Sequence, residues 1–449
     1  MSEKLYVGYA RANANPALGT LIAGYFVTRH AEAILDDIEV CAVALKVGDK
    51  AAVIMSVDVC YIPNGVADEM RARVAAATGV DAEAVFIHST HTHQGPTVVG
   101  LGTATLNGEY SEFLTKRVAD TAAMAMADLK EAKMGIGTSE AKNVAFIRRY
   151  RMKDGSAKTN PGVNNPDIVA PIGETDERVH IVRFDREGAE SIVIASFANH
   201  PDVVGGNKIS ADWPGMTRRI LENAIDNTKC IFLNGAQGDV NHVNVHPKAG
   251  DFNDMFHDFD GCSRGYGHAR HIARVVVGAI MSVYDKVEYI DAGELCYAQK
   301  MVEIASNKAD PKDLPLAHKY NDLHKAGRDD LIPFEAMMLT TVVAEAARMV
   351  RLENAPEAFP MRFSALSIGD VAFFGIPGEP FTGVGRGIKE AEGWKMVVPC
   401  CIVNGYEGYF PMRDSYEEGG YEARSSNYKA GAAEKIIEEG LSILKELRG

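Results

Sequence analysis

The sequence predicts an α/β protein: a mixed sheet flanked by helices on both faces. Three observations carry that expectation. Short runs of valine, isoleucine and alanine alternate with longer stretches of helical period along the whole chain. Some consecutive strands are joined by tight turns and others through helices, without a strict strand–helix–strand rhythm. No linker, internal repeat or low-complexity tract breaks the 449 residues.

In chain order, 39–57 reads as two strands around Gly48-Asp49-Lys50, because Gly-Asp is turn chemistry. A helix is predicted over 67–78, stopped by Gly79. The strand 84–88 runs into a polar loop, and a long helix follows over 110–129. Strands are predicted at 133–138, 180–184 and 191–197. A helix over 214–224 leads to a strand at 230–233. The segment 251–268 is rich in Asp, Gly, His and Phe and lacks a period, so it reads as a long surface loop. Helices are predicted over 269–283 and 334–353, with 311–330 an exposed insertion holding some helix. Residues 362–367 and 371–374 form a hairpin around Gly369-Asp370. A C-terminal helix over 430–447 carries isoleucine and leucine at i, i+3, i+4 spacing.

Lysine plus arginine number 47 and aspartate plus glutamate 61, a formal charge of −14. That field repels nucleic acid and anionic membranes, so neither is expected as a partner. No apolar run approaches the roughly 20 residues that span a bilayer. The N-terminal stretch has no basic region followed by an apolar core, so no secretory leader is expected. Seven widely spaced cysteines without a C-x-x-C fit reduced thiols and a cytoplasmic location. Adjacent Cys400 and Cys401 read as strand core.

Four segments could carry chemistry. Thr90-His91-Thr92-His93 ends a buried strand, and two histidines two apart share one side of an extended chain. Phe197-Ala198-Asn199-His200-Pro201 ends another. Glu379 stands in a Gly/Pro-rich turn directly after an apolar strand. Tyr409 and Tyr421 lie twelve apart. Open α/β sheets gather their sites at such strand ends. Each segment also has a plain structural reading: a hydrogen-bonded histidine pair, a turn histidine, a helix-capping glutamate, half-buried tyrosines.

Taken together, Thr90-His91-Thr92-His93-Gln94-Gly95-Pro96, Phe197-Ala198-Asn199-His200, Gly238-Asp239-Val240, Pro377-Gly378-Glu379-Pro380-Phe381-Thr382, and Tyr409 with Tyr421-Glu422-Ala423 resemble the neutral/alkaline ceramidase family. The motifs occur in that family's order over about residues 8–430. The resemblance implies a neutral-ceramidase-like metallohydrolase domain over 1–449. It also implies a zinc ion held by His91, His200, Glu379 and Tyr409, an open-site donor set to which other divalent transition metals are also suited. By the same resemblance His93 either sits behind the ligands and orients them or acts in proton transfer, Tyr421 donates to the developing oxyanion, and Arg148, more than Arg149, is the substrate-side arginine.

Two departures shape the expected chemistry. The family has a serine after Gly-Asp-Val, and this chain has Asn241 followed by His242. Asparagine cannot be acylated in that way, so attack by metal-activated water is expected, with Asn241 an oxyanion donor. His242 is either a second base or an exposed loop histidine. The family's ceramidases also carry a C-terminal immunoglobulin-like domain that is not expected here. An acidic, unanchored chain without a large apolar ramp fits a small polar N-acyl compound or cyclic amide better than ceramide. Ester or lactone hydrolysis and epimerisation on the same site are the alternatives, as is a non-catalytic binding protein. Asp212 and His257 are candidate substrate contacts, the first equally a helix cap and the second equally part of a solvated loop. A second metal at Asp254, His257 and Asp258 is a further candidate. A two-fold homo-oligomer is the default for such an enzyme.

Overall fold

The computed structural model describes residues 3–252, 256–258 and 262–448, with no account of the side chains of 252, 256 and 257. A nine-stranded mixed sheet is built from β1 (Leu5–Asn13), β2 (Glu39–Val47), β3 (Lys50–Val57), β4 (Val85–Ser89), β5 (Lys130–Glu140), β6 (Arg178–Arg186), β7 (Ser191–Phe197), β8 (Thr228–Asn234) and β9 (Glu288–Ile290). Its order is β8-β7-β6-β5-β1-β2-β3-β4, with β9 also pairing β5. Neighbours are antiparallel except β3/β4 and β7/β8, which run parallel. Strand β7 has the predicted bounds, and the Gly48-Asp49 turn joins β2 to β3.

The period of two along β6 to β8 divides their apolar residues between two cores. Val182, Ile192, Ile194 and Ile231 join the core under α1 (Asn64–Thr78) and α2 (Leu106–Ala127). Ile181, Val193, Phe197 and Phe232 pack with Trp213 of α3 (Asp212–Ala224) and Ile272 and Val276 of α4 (Tyr266–Tyr284). A second, four-stranded sheet comprises Leu295–Ala305, Ala358–Ile368, Val371–Gly375 and Met396–Cys400. Its Leu366 and Phe373 face the main core. Phe363 and Phe374 face a third core, capped by the C-terminal helix Ala432–Arg448 through Ile436, Ile443 and Leu444. Cys400 and Cys401 are both buried.

Several boundaries differ from the sequence expectation for local reasons. Helix α2 starts at Leu106 because the Thr105 hydroxyl accepts from Gly108 N–H, a cap that the apolar pattern does not mark. The segment read as a loop to residue 268 ends earlier. Helix α4 begins at Tyr266, and His268 is buried within it. Upstream, 256–257 and 263–264 form a two-residue antiparallel ladder. The expected insertion at 311–330 holds α5 (Leu314–Lys325), which packs on α6 (Ala336–Leu352) through Tyr320, Leu323, Val342 and Val343.

The architecture puts the chemistry at one place. His91 follows β4, His200 follows β7, and Glu379 follows Val371–Gly375. Each of these strands belongs to a parallel pair, so their carboxyl ends open on a common crevice. Among the described residues, no helix is long and apolar enough to cross a membrane.

Candidate metal centre

His91 adopts a left-handed backbone, φ 72°, that a non-glycine residue holds only when its surroundings fix it. Two main-chain bonds do so: Thr90 N–H donates to Val57 O at 2.9 Å and His91 N–H to Val59 O at 3.0 Å. The Thr90 hydroxyl donates to the buried Asp58 carboxylate, which Arg218 neutralises. Asn234, at the end of β8, donates to both Thr90 O at 3.4 Å and Asn199 O at 3.0 Å, tying the His91 loop to the His200 loop. Glu379 opens a two-residue parallel ladder in which it pairs with Tyr409, so the two side chains stand side by side. Gly238 N–H donates to Pro380 O at 2.8 Å, and a Cβ at Gly238 would lie 2.4 Å from Glu379 O. Only glycine allows that approach, which is why Gly-Asp-Val precedes the site. Asp239 accepts from the backbone and hydroxyl of Thr382 at 2.7 and 2.9 Å, fixing the first turn of α7 (Thr382–Lys389).

Three side chains converge. His91 Nε2 lies 3.2 Å from His200 Nε2 and 3.2 Å from Glu379 Oε2. His200 Nε2 lies 3.5 Å from the same Glu379 oxygen. The other ring nitrogens fix the tautomers: His91 Nδ1 faces Cys60 O at 2.7 Å and His200 Nδ1 faces Gln237 O at 3.2 Å. A carbonyl can only accept, so both Nδ1 atoms carry hydrogen in the neutral rings and both Nε2 atoms present lone pairs. Two lone pairs and a carboxylate oxygen at this spacing repel one another unless a cation lies between them. All three residues are buried, which makes the repulsion expensive. The donor set therefore fits a divalent metal ion, with imidazole nitrogens oriented by main-chain carbonyls as metal-binding histidines usually are.

The electrostatics agree. Burial by itself would raise the Glu379 carboxyl, yet His91, His200 and a hydrogen bond from Tyr406 hold it well below the usual carboxylate range. Burial, Arg148 and His91 depress His200 to about 3, keeping its ring neutral. Burial also opposes charge on His91, but Cys60 and Glu379 beside it draw its pKa well above that of an ordinary imidazole. The gap attracts a proton or a metal ion.

Around this triad, His93 Nε2 lies 3.2 Å from His91 Nε2, and its buried Nδ1 has no partner among the described residues. The Arg148 guanidinium lies 5.4 Å from the Tyr409 ring centre. Tyr421 meets the Tyr409 ring edge-on at 5.5 Å. Arg148 pairs with Glu422 at 2.6 Å and donates to Gly238 O at 2.7 Å, so it anchors the residue next to Tyr421. His91, Glu379, His93, Tyr409 and Tyr421 line one cavity of about 440 Å³, and His200 is not among its lining residues.

Other sequence candidates lie outside that cavity. Arg149 donates to Ser415 Oγ at 2.8 Å and pairs with Glu418 at 3.0 Å, beside a separate cavity of about 390 Å³. Asn241 spends its amide on Asn160 at 3.0 Å and on Val243 N–H at 3.0 Å. His242, expected as a loop histidine or a base, is buried between Asp202 Oδ1 at 3.2 Å and Ser263 O at 2.6 Å. Asp212 has φ 53° and accepts from the backbone of Val203, Val204 and Trp213 at 3.0, 2.9 and 2.6 Å. Its carboxylate braces the loop after His200, and burial raises it to about 7. Asp254 and the side chain of His257 lie outside the described residues, and Asp258 pairs with Arg264 at 3.4 Å.

Four residues at the site were not singled out from sequence. Tyr406 donates to Glu379 Oε1 at 2.7 Å, and Gln237 Nε2 lies 3.4 Å from Glu379 Oε2. Cys60 supplies the carbonyl for His91, and Tyr61 stacks on Tyr406 with ring centres 4.3 Å apart. The signal for Tyr406 was present in Asn-Gly-Tyr-Glu-Gly-Tyr, where a second tyrosine stands three before Tyr409. Tyr406→Phe removes a hydrogen bond to the buried carboxylate without changing shape. Metal affinity is expected to fall about 10- to 100-fold, read by competition with a chelating indicator.

No family model and no curated protein sequence matches this chain. Solved structures do. The chain is similar to the neutral ceramidase of Pseudomonas aeruginosa, with a TM-score of 0.72 and 17% identity over 100% of this chain and 75% of that one. A structure described as ceramidase complexed with C2 gives a TM-score of 0.73 at 17% identity, over 99% and 75% of the two chains. Across its full length, this chain carries a neutral ceramidase-like fold.

Proposed function

We propose that the chain is a metal-dependent hydrolase that cleaves the amide bond of a small polar substrate. One observation carries the reading: His91 Nε2, His200 Nε2 and Glu379 Oε2 converge at 3.2 to 3.5 Å, a spacing and donor set that suit a shared divalent cation. His91, His200, Glu379 and Tyr409 would hold the ion, and zinc suits two imidazoles with two oxygen donors. A bound divalent ion polarises a carbonyl and makes water acidic enough to attack at neutral pH. The chain's own groups do the rest. His93, whose Nε2 lies beside the triad 3.2 Å from His91 Nε2, takes the proton of the attacking water and returns it to the leaving nitrogen. Tyr421 donates its hydroxyl hydrogen to the oxygen that gains charge. One water adds across the C–N bond, leaving a carboxylic acid and an amine. Asn241 takes no covalent part.

The amide reading rests on the likeness in fold to ceramidases. A cavity of about 440 Å³ is at the small end of ligand sites, which favours a small substrate over a two-chain lipid. Six cysteines, Cys41, Cys60, Cys230, Cys296, Cys400 and Cys401, are free thiols, which supports a reducing, cytoplasmic location. Turnover in heavy-oxygen water tests the reaction type. Label in one oxygen of the product acid supports hydrolysis, and turnover that leaves the substrate's bonds intact and introduces no label contradicts it.

A further inference from the structure

The cavity lined by His91 and Glu379 is also lined by an arginine, Arg351, that pairs with no carboxylate among the described residues. Arg351 closes α6, and its guanidinium donates to Asn427 Oδ1. Ala344, Ala347 and Arg351 line the cavity from one face of that helix, at i, i+3 and i+7. Two alanines leave room beneath the guanidinium. Arg351 meets no carboxylate among the described residues, and its side chain is solvent-exposed where it lines the cavity. Its neighbours show the usual pattern: Arg148 pairs with Glu422, Arg348 and Arg424 with Glu345. Glu407, also on the cavity wall, is occupied by Asn64 and Tyr428, each at 2.6 Å. Tyr406, whose hydroxyl is bonded to Glu379, lines the same cavity as Arg351.

We infer that Arg351 receives an anionic group of the substrate, making the preferred substrate an amide that also carries a carboxylate. An N-acyl amino acid has this form. The inference rests on the proposed hydrolase reading for the identity of the bond, but the anion contact stands on Arg351 itself. A guanidinium offers a planar fork that matches a carboxylate, Asn427 holds that fork in place, and the aromatic walls of Tyr61 and Tyr406 accommodate the intervening atoms.

The test uses N-acyl amino acids and their primary carboxamides as matched pairs, on the metal-loaded wild type, Arg351→Met and Arg351→Lys. A charged hydrogen bond corresponds to about a tenfold preference or more, so kcat/KM for the acid should exceed that for the carboxamide by at least that factor. Arg351→Met should bring the ratio near one, and Arg351→Lys should retain part of it. A free carboxylate can also approach the metal, so the change in ratio between wild type and Arg351→Met is decisive. An unchanged ratio, or a wild type that takes the carboxamide as well as the acid, overturns the inference and leaves the hydrolase reading standing. If neither compound is cleaved, the hydrolase reading fails for this class, and calorimetric binding of the acid decides the anion contact: about tenfold weaker binding to Arg351→Met supports it, and equal or absent binding to both proteins overturns it.

Discussion

Glu379→Gln is expected to lower kcat/KM by about 10³-fold or more while the protein stays folded, because a metal supplies several kcal/mol of transition-state stabilisation and each 1.36 kcal/mol is tenfold. The substitution is isosteric, so the ladder with Tyr409 and the hydrogen bond from Tyr406 to the side-chain oxygen can persist. It removes the negative charge that offsets a divalent ion between two neutral imidazoles. It also places an amide N–H 3.2 to 3.5 Å from His91 Nε2 and His200 Nε2. That N–H can donate to the lone pairs that the ion requires, so the variant satisfies the site internally. Steady-state kinetics with a metal-affinity measurement on the same preparation check both effects. Unchanged thermal stability separates the outcome from unfolding.

Tyr421→Phe is expected to lower kcat by about 10²- to 10³-fold, with KM and metal content nearly unchanged, as for loss of one oxyanion donor. Burial holds the Tyr421 phenol well above its ordinary pKa, so it is a hydrogen-bond donor at neutral pH. Its placement is built from outside the cavity. Glu422 is held by Arg148 at 2.6 Å and by the Thr159 hydroxyl at 2.9 Å, and Arg149 donates to Gly419 O at 3.1 Å. Removing one oxygen leaves this frame and the edge-on contact with Tyr409 in place. A fall in kcat that appears with KM unchanged identifies a group acting in the transition state. A matching loss of metal would place Tyr421 among the ligands.

Much of the sheet was legible because its inner strands are continuous apolar runs with turn residues between them. Strand β7 and the hairpin of β2 and β3 are examples. Strand β1 was not singled out. Its Leu-Tyr-Val-Gly-Tyr-Ala-Arg-Ala-Asn mixes polar and small residues. The structure explains the glycine: a Cβ at Gly8 would lie 1.9 Å from Ala125 O, so helix α2 presses directly on the strand. Strand Leu295–Ala305 was missed for a related reason, since much of it is half-exposed and its polar residues obscure the alternation.

The convergence of His91, His200 and Glu379 was legible only through the ensemble of motifs and the family resemblance they carry, since each segment alone also had a plain structural reading. The site's outer residues were not. Asp212 and His242 have the chemistry of binding groups, but the first serves local backbone and the second is enclosed by Asp202 and Ser263. Direction of approach is set by contacts distant in sequence, and a linear pattern does not carry it. Tyr406 and Arg351 were hidden the other way: neither residue type is unusual in its segment, and both gain meaning only when 61, 351, 379 and 406 meet across one cavity.

The most direct test of the central claim is metal content by elemental analysis, on protein purified without chelator, for wild type and His91→Ala. The account predicts about one divalent ion per chain in the wild type and little in the variant, because loss of one imidazole opens a set that is otherwise closed by His200, Glu379 and Tyr409. A wild type that holds no metal and takes none up on titration, or a His91→Ala protein that holds as much as the wild type, would contradict it.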